Sequence, residues 1–127
     1  MKAKERFYFC EHCGNMVGMI HDAGVPIKCC GQNMTHLEAN STDAATEKHV
    51  PVVTVEGNTV KVHVGEVTHP MQEEHFIQWI YLQTERGGQR ISLSPTDEPT
   101  AVFSVEFDKP VAVFEYCNLH GLWKTEL

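Results

Sequence analysis

Short apolar stretches separated by turn residues run from residue 49 to the end of the chain. Helical periodicity is almost absent from them, and their composition is that of β-strands. About seven strands are expected at 50–55 (VPVVTV), 60–67 (VKVHVGEV), 76–83 (FIQWIYLQ), 90–94 (RISLS), 101–107 (AVFSVEF), 111–117 (VAVFEYC) and 122–127 (LWKTEL). Their regular spacing predicts a mainly β domain over residues 49–127, an antiparallel β-sandwich of immunoglobulin-like type.

The first 36 residues follow a different pattern, because four glycines and a proline interrupt them and four of the five cysteines lie there. A segment of this size cannot build much of an apolar core, and below about 40 residues a metal or disulfides usually supply the missing stability. Residues 37–48 (LEANSTDAATEK) lack alternation and contain turn-forming side chains, which predicts a linker between two domains.

Charge and composition narrow the function classes. The 127-residue chain has a formal net charge of −7, which argues against nonspecific nucleic-acid binding and favours a basic protein or a small ligand as partner. No stretch approaches the roughly 20 apolar residues of a membrane helix. The apolar run behind the basic start MKAKE is too short for a secretory signal, so we expect a cytoplasmic protein. Reduced thiols and an odd number of cysteines then favour metal binding over disulfides.

Cys10, Cys13, Cys29 and Cys30 have the spacing of a metal site. A Cys-x-x-Cys turn presents two thiolates to one ion, and a second pair completes a tetrahedron. A shell of four thiolates suits zinc or iron, so a structural zinc ribbon and an iron centre both remain open. The adjacent side chains of Cys29 and Cys30 must bend round the same ion, which should distort the tetrahedron.

The eight histidines fall into two groups. Four are expected on the surface, either on the polar face of a strand or in the segment that already has four ligands: His63, and His12, His21 and His36. The other four stand at or near predicted strand ends, as Cys117 does: His49, His69, His75 and His120. Loops at one end of a sandwich come together, so these five side chains predict a second metal site, the alternative being four scattered loop histidines.

Four imidazoles and one thiolate exceed the tetrahedral shell of structural zinc, and this mixed donor set admits iron or copper. On a six-coordinate ion one position would stay free. A thiolate opposite that position would push electron density through the metal, as the cysteine ligand of some haem enzymes does. Such a site suits the reduction of a small oxygen species.

The sequence closely resembles the desulfoferrodoxins, the two-iron superoxide reductases, over essentially its whole length. YFCEHCGN and CCG resemble the desulforedoxin-like, rubredoxin-like metal module of that family. EKHVP (47–51), HPM (69–71), HFIQW (75–79) and EYCNLHGLWK (115–124) resemble its catalytic domain. No ligand position of the family pattern is missing. Leu122 stands where relatives often carry a polar residue, and we expect no change in the reaction from it.

The resemblance implies two iron ions per chain. Cys10, Cys13, Cys29 and Cys30 would hold a rubredoxin-like iron. His49, His69, His75 and His120 would form the equatorial plane of the second iron, with Cys117 axial and the sixth position open to superoxide. The implied reaction reduces superoxide to hydrogen peroxide without releasing dioxygen, and an external donor such as rubredoxin then restores the iron. The family is typically homodimeric.

Glu47 and Lys48 directly precede His49 and are candidate catalytic residues, although most Glu-Lys neighbours are only a solvated charge pair. A lysine ammonium beside the open position would attract an anionic substrate to an otherwise acidic protein and favour protonation of the product. The resemblance implies that Glu47 can occupy the sixth position and help displace product. Glu115 should project to the same side of its strand as Cys117, with no assigned role. Trp79 and Trp123 are expected in core or dimer packing.

Backbone N–H groups near Asn118 to His120 are expected to hydrogen-bond the Cys117 sulfur. Three functions compete: a superoxide reductase, an electron carrier that works through the four-cysteine iron, and a non-catalytic zinc protein. The carrier leaves the five-ligand site beside Glu47 and Lys48 unexplained. The zinc protein leaves Cys117 and its four histidines unexplained.

Overall fold

The computed structural model describes residues 6–127. The first five residues, which include the basic start MKAKE and the beginning of the predicted 1–36 module, lie outside the described residues. The chain divides into two compact units, one ending at Glu38 and the other beginning at Ala39.

The smaller unit consists of five very short strands: β1 (Phe7–Phe9), β2 (Met16–Gly18), β3 (Lys28–Cys29), β4 (Gln32–Asn33) and β5 (Thr35–His36). β1 pairs antiparallel with β2 and β5, and β3 pairs with β4 as a hairpin. Phe7, Cys10 and Met34 are its buried side chains among the described residues. So small an apolar cluster agrees with the expectation that this unit depends on a metal.

The larger unit contains one helical turn, α1 (Thr46–His49), and seven strands: β6 (Pro51–Glu56), β7 (Thr59–Val64), β8 (Ile77–Thr84), β9 (Gly88–Ser92), β10 (Thr100–Ser104), β11 (Pro110–Cys117) and β12 (Gly121–Glu126). They form two antiparallel sheets of order β10-β7-β6 and β12-β11-β8-β9. The predicted antiparallel sandwich, with the seven strands of an immunoglobulin-like domain, is therefore confirmed.

Alternation along β7 explains how the two sheets share one core. Val60, Val62 and Val64 are at most 3% exposed, while the residues between them face outward. They pack with Ile80 and Leu82 of β8 and with other buried side chains of β10 and β11. Burying one such aliphatic side chain stabilises the fold by about 1.5–3 kcal/mol. β11 is buried along nearly its whole length, because it lies inside the four-stranded sheet and is covered on both faces.

Several strand ends differ from the sequence-based expectation. β7 ends at Val64 rather than at residue 67, because Gly65 takes a φ of +84° and turns the chain. β10 ends at Ser104, and Phe107 lies 93% exposed with a φ of +59°. α1 lies mostly within the predicted linker 37–48, since a single helical turn is too short to leave a periodic pattern.

Five strand ends lie at the end of the sandwich where the predicted ligands of the second site converge. Pro51 at the start of β6 pairs with Val64 at the end of β7. In the other sheet Cys117 at the end of β11 pairs with Ile77 and Gly121, the first residues of β8 and β12. A hydrogen bond of 2.6 Å from Thr125 Oγ1 to the Pro51 carbonyl joins β12 to β6. The segments that begin or end here carry all five predicted ligands of the second site.

Asn40 attaches the chain before α1 to the free edge of β12. Its N–H donates to the Leu122 carbonyl at 2.9 Å, and its Oδ1 accepts from the Lys124 N–H at 2.9 Å. A φ of +60°, which asparagine tolerates better than most residues, makes this pairing possible. Among residues 6–127 there is no helix of the length and apolar character needed to cross a bilayer.

Candidate metal centres

The four-cysteine group lies in the smaller unit. The sulfurs of Cys10, Cys13, Cys29 and Cys30 all lie within 4.8 Å of one another. Cys13 Sγ is 3.6 Å from Cys29 Sγ, and Cys29 Sγ is 4.0 Å from Cys30 Sγ. Around a tetrahedral ion with metal–sulfur bonds of about 2.3 Å, sulfurs stand about 3.8 Å apart. The geometry therefore fits one ion held by four thiolates.

A left-handed backbone lets adjacent cysteines serve one ion. Cys29 ends β3, and Cys30 and Gly31 then take φ values of +54° and +74° in the turn of the hairpin. Positive φ at both central residues is the conformation of a tight type I′ hairpin turn. The turn brings the Cys30 sulfur next to the Cys29 sulfur, as two adjacent cysteines must be arranged to bind the same ion.

Backbone N–H groups stabilise the sulfurs of the Cys-x-x-Cys turn. The Cys13 N–H donates to Cys10 Sγ at 3.5 Å, and this bond is the largest of several causes that lower the pKa of Cys10 to about 6. The pKa of Cys30 is instead raised to about 12, chiefly by its interaction with the Cys13 thiol. Four thiols this close cannot all ionise without a cation among them, so the donor set itself calls for a metal.

The second group joins residues from three separate segments of the larger unit. His49 ends α1, His69 and His75 lie in the loop between β7 and β8, and Cys117 and His120 flank the turn between β11 and β12. Their ligand atoms all lie within 4.8 Å of one another. The structure thus brings together every histidine and cysteine that the sequence predicts for this site.

Ring hydrogen bonds fix which nitrogens face the centre. His49 Nδ1 donates to the Ala45 carbonyl and His69 Nδ1 to the Pro70 carbonyl, both at 2.7 Å. Since a carbonyl can only accept, each Nδ1 carries the hydrogen and each Nε2 is left with a lone pair. His120 instead presents its Nδ1 to the other ligand atoms. This nitrogen lies 3.1 Å from His49 Nε2 and 3.8 Å from Cys117 Sγ.

Burial favours the neutral form of three of the four imidazoles. It lowers the pKa values of His49 and His75 and brings that of His69 to about 4. The buried Nε2 of His75 has no hydrogen-bond partner among residues 6–127. The imidazole nitrogens thus direct toward one another lone pairs that are neither protonated nor hydrogen-bonded. A metal cation bound between them would satisfy these lone pairs.

Cys117 is fully buried at the end of β11. Burial raises the pKa of its thiol, and the backbone N–H groups of Leu119 and His120 act in the opposite direction. These are the N–H···S contacts that the sequence predicts near Asn118 to His120, although the Asn118 N–H itself donates to the Phe76 carbonyl at 3.2 Å. A cation beside the sulfur would complete its conversion to thiolate.

Trp79 and Trp123 are buried, as expected, but Trp123 also touches the site. Its ring stacks on His49 with centroids 5.0 Å apart, and its Nε1 donates to the His120 carbonyl at 3.0 Å. Trp123 therefore excludes water from one side of the His49 ring and holds the His120 backbone. Its position two residues after the Gly121 turn gave no sign of this double role.

The other histidines lie mostly as predicted. His12, His21 and His36 are exposed in the smaller unit. His63 faces away from the core on β7, as predicted, but it is not fully solvated, because the chain after β7 folds back over it. His63 is half-buried, its Nδ1 donates to the Gly65 carbonyl at 2.8 Å, and its Nε2 lies 3.3 Å from Thr68 Oγ1.

Glu47 and Lys48 are exposed on α1, directly before His49. The positive charge of Lys48 contributes to lowering the pKa of His75, and the negative charge of Glu47 acts to raise that of His49. Lys48 is therefore close enough to affect the pKa of His75, and Glu47 is close enough to affect that of His49. The Glu47 carbonyl also accepts from the Val67 N–H at 2.9 Å, which ties α1 to the loop that carries His69.

Glu115 is fully buried in the sheet, where it pairs with Ile80 and Trp123 on the neighbouring strands. Neither carboxylate oxygen has a hydrogen-bond partner among the described residues. Burial raises the pKa of this carboxyl well above its usual range. The alternation of β11 placed Glu115 on the side of Cys117, but it gave no measure of how completely the sandwich would cover it.

The comparisons with known proteins agree with this geometry. The desulfoferrodoxin family model matches residues 41–126. A desulfoferrodoxin of Syntrophotalea carbinolica is 48% identical over 126 residues, which cover 99% of each chain. A superoxide reductase of Pyrococcus horikoshii is 40% identical over 105 residues, covering 68% of this chain and 91% of that protein.

A solved structure extends the likeness to three dimensions. The superoxide reductase from Treponema pallidum matches with a TM-score of 0.79 and 37% sequence identity, covering 94% of this chain and 98% of that one. The chain therefore belongs to the desulfoferrodoxin family, as its fold, its two donor sets and the extent of these matches show.

Proposed function

We propose that this chain is a superoxide reductase, which converts superoxide to hydrogen peroxide at the site of His49, His69, His75, His120 and Cys117. The observation that carries the proposal is the convergence of four imidazole nitrogens and one cysteine sulfur within 4.8 Å. The two donor sets match the two-iron arrangement of the family. Five donors also leave one position of a six-coordinate ion for a small oxygen species.

Iron bound at this site would supply the single electron that superoxide must gain. The reaction also consumes two protons, so one superoxide anion, one electron and two protons give one hydrogen peroxide. The chain's own residues hold the ion, exclude water and direct the charges around it. Trp123 and the buried His49 and His69 shield one side, while half-buried His75 and His120 leave another side accessible.

Lys48 has the clearest role among the exposed charges. Its ammonium acts on the His75 ring, and it opposes the net charge of −7 that would otherwise repel an anionic substrate. It draws superoxide toward the site and favours proton delivery to the product, directly or through water. Glu47, exposed on the same helical turn, would help the product leave the iron.

The four-cysteine centre would hold the first iron and exchange electrons, since a shell of thiolates is typical of electron-transfer iron. We assign residues 1–36 to this desulforedoxin-like module, 37–48 to the linker and 49–127 to the superoxide reductase domain. Rubredoxin or a similar small protein would re-reduce the catalytic iron. We place the protein in the cytoplasm, which the five unpaired cysteines support. The family resemblance supports a homodimer.

Metal content and product yield test this function. The protein is loaded with ferrous iron without oxygen, analysed for iron and mixed with less superoxide than the ferrous iron it holds, so that the bound iron supplies every electron. We expect two irons per chain and one hydrogen peroxide per superoxide consumed, without dioxygen. One peroxide for every two superoxide anions, with dioxygen, would indicate dismutation. Iron in the cysteine module alone would indicate an electron carrier, and zinc alone a non-catalytic protein.

A Cys117→Ser variant separates the two centres. We expect it to lose turnover while it keeps the four-cysteine iron, because the serine oxygen cannot replace the thiolate as an electron-donating ligand. Full activity in this variant would contradict the role of Cys117. A variant lacking the four module cysteines, assayed with an electron donor, shows whether the first iron is needed for turnover.

A further inference from the structure

We propose that Asn118 is a positioning residue whose side-chain amide holds the loop of His75 in place for metal binding. The inference rests on the proposed iron site and adds a residue outside the donor set. Asn118 directly follows Cys117, so the same residue links two ligands that are far apart in sequence.

The amide of Asn118 binds the backbone on both sides of His75. Its Oδ1 accepts from the Phe76 N–H at 2.9 Å, and its Nδ2 donates to the Glu74 carbonyl at 3.1 Å. The Asn118 N–H adds a third bond, to the Phe76 carbonyl at 3.2 Å. One residue thus makes three hydrogen bonds to the two neighbours of a single ligand.

His75 depends on such outside support more than the two buried histidines of the site do. The rings of His49 and His69 are oriented by their own bonds from Nδ1 to a carbonyl. No ring hydrogen bond of that kind is found for His75 within residues 6–127, and its buried Nε2 has no partner there. The direction of this ring is therefore set by the backbone that carries it.

That backbone belongs to an exposed turn. Gln72 and His75 exchange two backbone hydrogen bonds of 2.9 and 3.1 Å, and Glu73 and Glu74 between them are exposed. These bonds close the turn upon itself but do not attach it to the sheet. The attachment comes from Asn118 and from the start of β8, where the Ile77 N–H lies 3.4 Å from Met71 Sδ.

The chemistry of the clamp requires a side-chain amide. Asparagine presents a donor and an acceptor on one short planar group, so it can pair with an N–H and a carbonyl at once. Aspartate at this position would keep the acceptor for Phe76 and lose the donor for Glu74. Alanine would lose both bonds while the backbone N–H of residue 118 stays in place.

The test compares Asn118→Ala and Asn118→Asp with Asn58→Ala as the matched control. Asn58 lies exposed in the turn between β6 and β7, at the opposite end of these strands from the Pro51–Val64 pair near the histidine site. The first measurement is amide hydrogen exchange in the metal-free protein. We expect the Phe76 amide to exchange about 3- to 10-fold faster in Asn118→Ala, in keeping with the loss of one hydrogen bond. Asn118→Asp should stay near the parent rate, and Asn58→Ala should match the parent.

The second measurement is the loss of iron to a chelator, followed for each centre by its own absorption. Removing residues that orient metal ligands typically costs about 10- to 100-fold in metal affinity. We expect Asn118→Ala to lose iron faster by about that factor from the histidine site only, with a shifted absorption band. Asn118→Asp should fall between it and the parent, and the four-cysteine iron serves as the internal control.

Unchanged Phe76 exchange together with unchanged iron loss in Asn118→Ala would overturn the proposal. So would equal acceleration at both iron centres, which would indicate a general loss of stability. Should Asn118→Ala fail to fold, Asn118→Asp must still show the spectral shift and faster iron loss for the proposal to stand. If the parent protein takes up no second iron, the proposed function fails, and Phe76 exchange alone then decides whether the clamp exists.

Discussion

Nε2 of His49 and Nε2 of His69 lie 3.2 Å apart, yet neither can donate a hydrogen bond to the other while each Nδ1 donates to a carbonyl. Two lone pairs that face each other at this distance repel unless a cation lies beside both. Burial makes protonation a poor alternative, because it lowers the pKa of both rings. The folded chain is thus arranged for a metal before any metal arrives.

Metal binding should therefore stabilise the larger unit, and His69 should be required for the effect. Excess ferrous iron at about 100 times its dissociation constant would raise the free energy of unfolding by about 2.7 kcal/mol. We expect thermal unfolding without oxygen to show this rise in the parent protein and in a His21→Ala control, since His21 is exposed in the smaller unit. His69→Ala should lose most of it. An equal iron-induced shift in all three proteins would contradict the site.

Lys48 should accelerate the encounter with superoxide. We expect Lys48→Ala to slow the second-order rate by about tenfold at low ionic strength and to weaken its dependence on salt. The matched control is Lys61→Ala, which removes the same charge from β7, where Lys61 pairs with Glu56 at 3.4 Å. Rates measured by pulse radiolysis at several salt concentrations decide the matter. Equal slowing in both variants would assign the effect to net charge rather than to the position of Lys48.

Gly65 should be required for the close approach of the turn after β7 to α1. It has a φ of +84°, and a Cβ there would lie 2.7 Å from the Lys48 carbonyl oxygen and would also meet the Val67 carbonyl oxygen. Gly57 has a φ of +59° and nothing within 4 Å of such a Cβ. Alanine at either position costs about 1–2 kcal/mol of backbone strain, and only Gly65→Ala adds a backbone clash.

We expect both variants to show the strain in chemical unfolding and Gly65→Ala to lose clearly more stability. Only Gly65→Ala should release iron faster from the histidine site, because the clash displaces either the residue before His49 or the loop that carries His69. Similar stability and iron retention in Gly57→Ala and Gly65→Ala would show that the turn can move away from α1 without cost.

Tyr8 and Asp22 should give the smaller unit a pH-dependent stability. Tyr8 Oη donates to Asp22 Oδ2 at 2.6 Å, which lowers the pKa of Asp22 and raises that of Tyr8. A carboxyl with a lowered pKa contributes stability above its ordinary pKa of about 4, and loses it as the pH falls through the lowered value. A phenol with a raised pKa contributes below about pH 10, and loses that contribution as the pH rises through the raised value.

Tyr8→Phe should therefore raise the pKa of Asp22 toward its ordinary value and destabilise the smaller unit near neutral pH, by an amount that shrinks as the pH falls through the lowered pKa. NMR titration of the Asp22 carboxyl measures the shift. Asp108 is the internal reference, because its lowered pKa depends chiefly on Thr84 and should stay unchanged. An Asp22 pKa equal in the two proteins would show that the Tyr8 bond does not persist in solution.

The sequence was a good guide to the sandwich and to both donor sets. Strands such as β7 follow from alternation, because a side chain that must face the core can be recognised by its period of two. Cys10 and Cys13 follow from a spacing that places two sulfurs on one turn. His49 and His69 could be predicted as a group only because strand ends at one end of a sandwich must lie together.

Features that depend on how distant segments cover one another could not be predicted. The burial of Glu115 depends on what the neighbouring strands place over it, and the half-burial of His63 depends on a turn that folds back. The three bonds of Asn118 join residues 42 to 44 positions apart, and an asparagine beside a cysteine carries no sign of them. Such contacts depend on tertiary structure and leave no local period.

The five ligands of the second site come from positions as far apart as His49 and His120, in three separate segments. An ion bound by all five ligands cross-links those segments much as a set of disulfides would. Unlike a disulfide, this cross-link is lost when the metal dissociates. The same iron atom would then be required both for catalysis and for the stability of the folded domain. A cell short of iron would hold a chain that is both inactive and easier for proteases to open, so its supply of the protein would follow its supply of the metal.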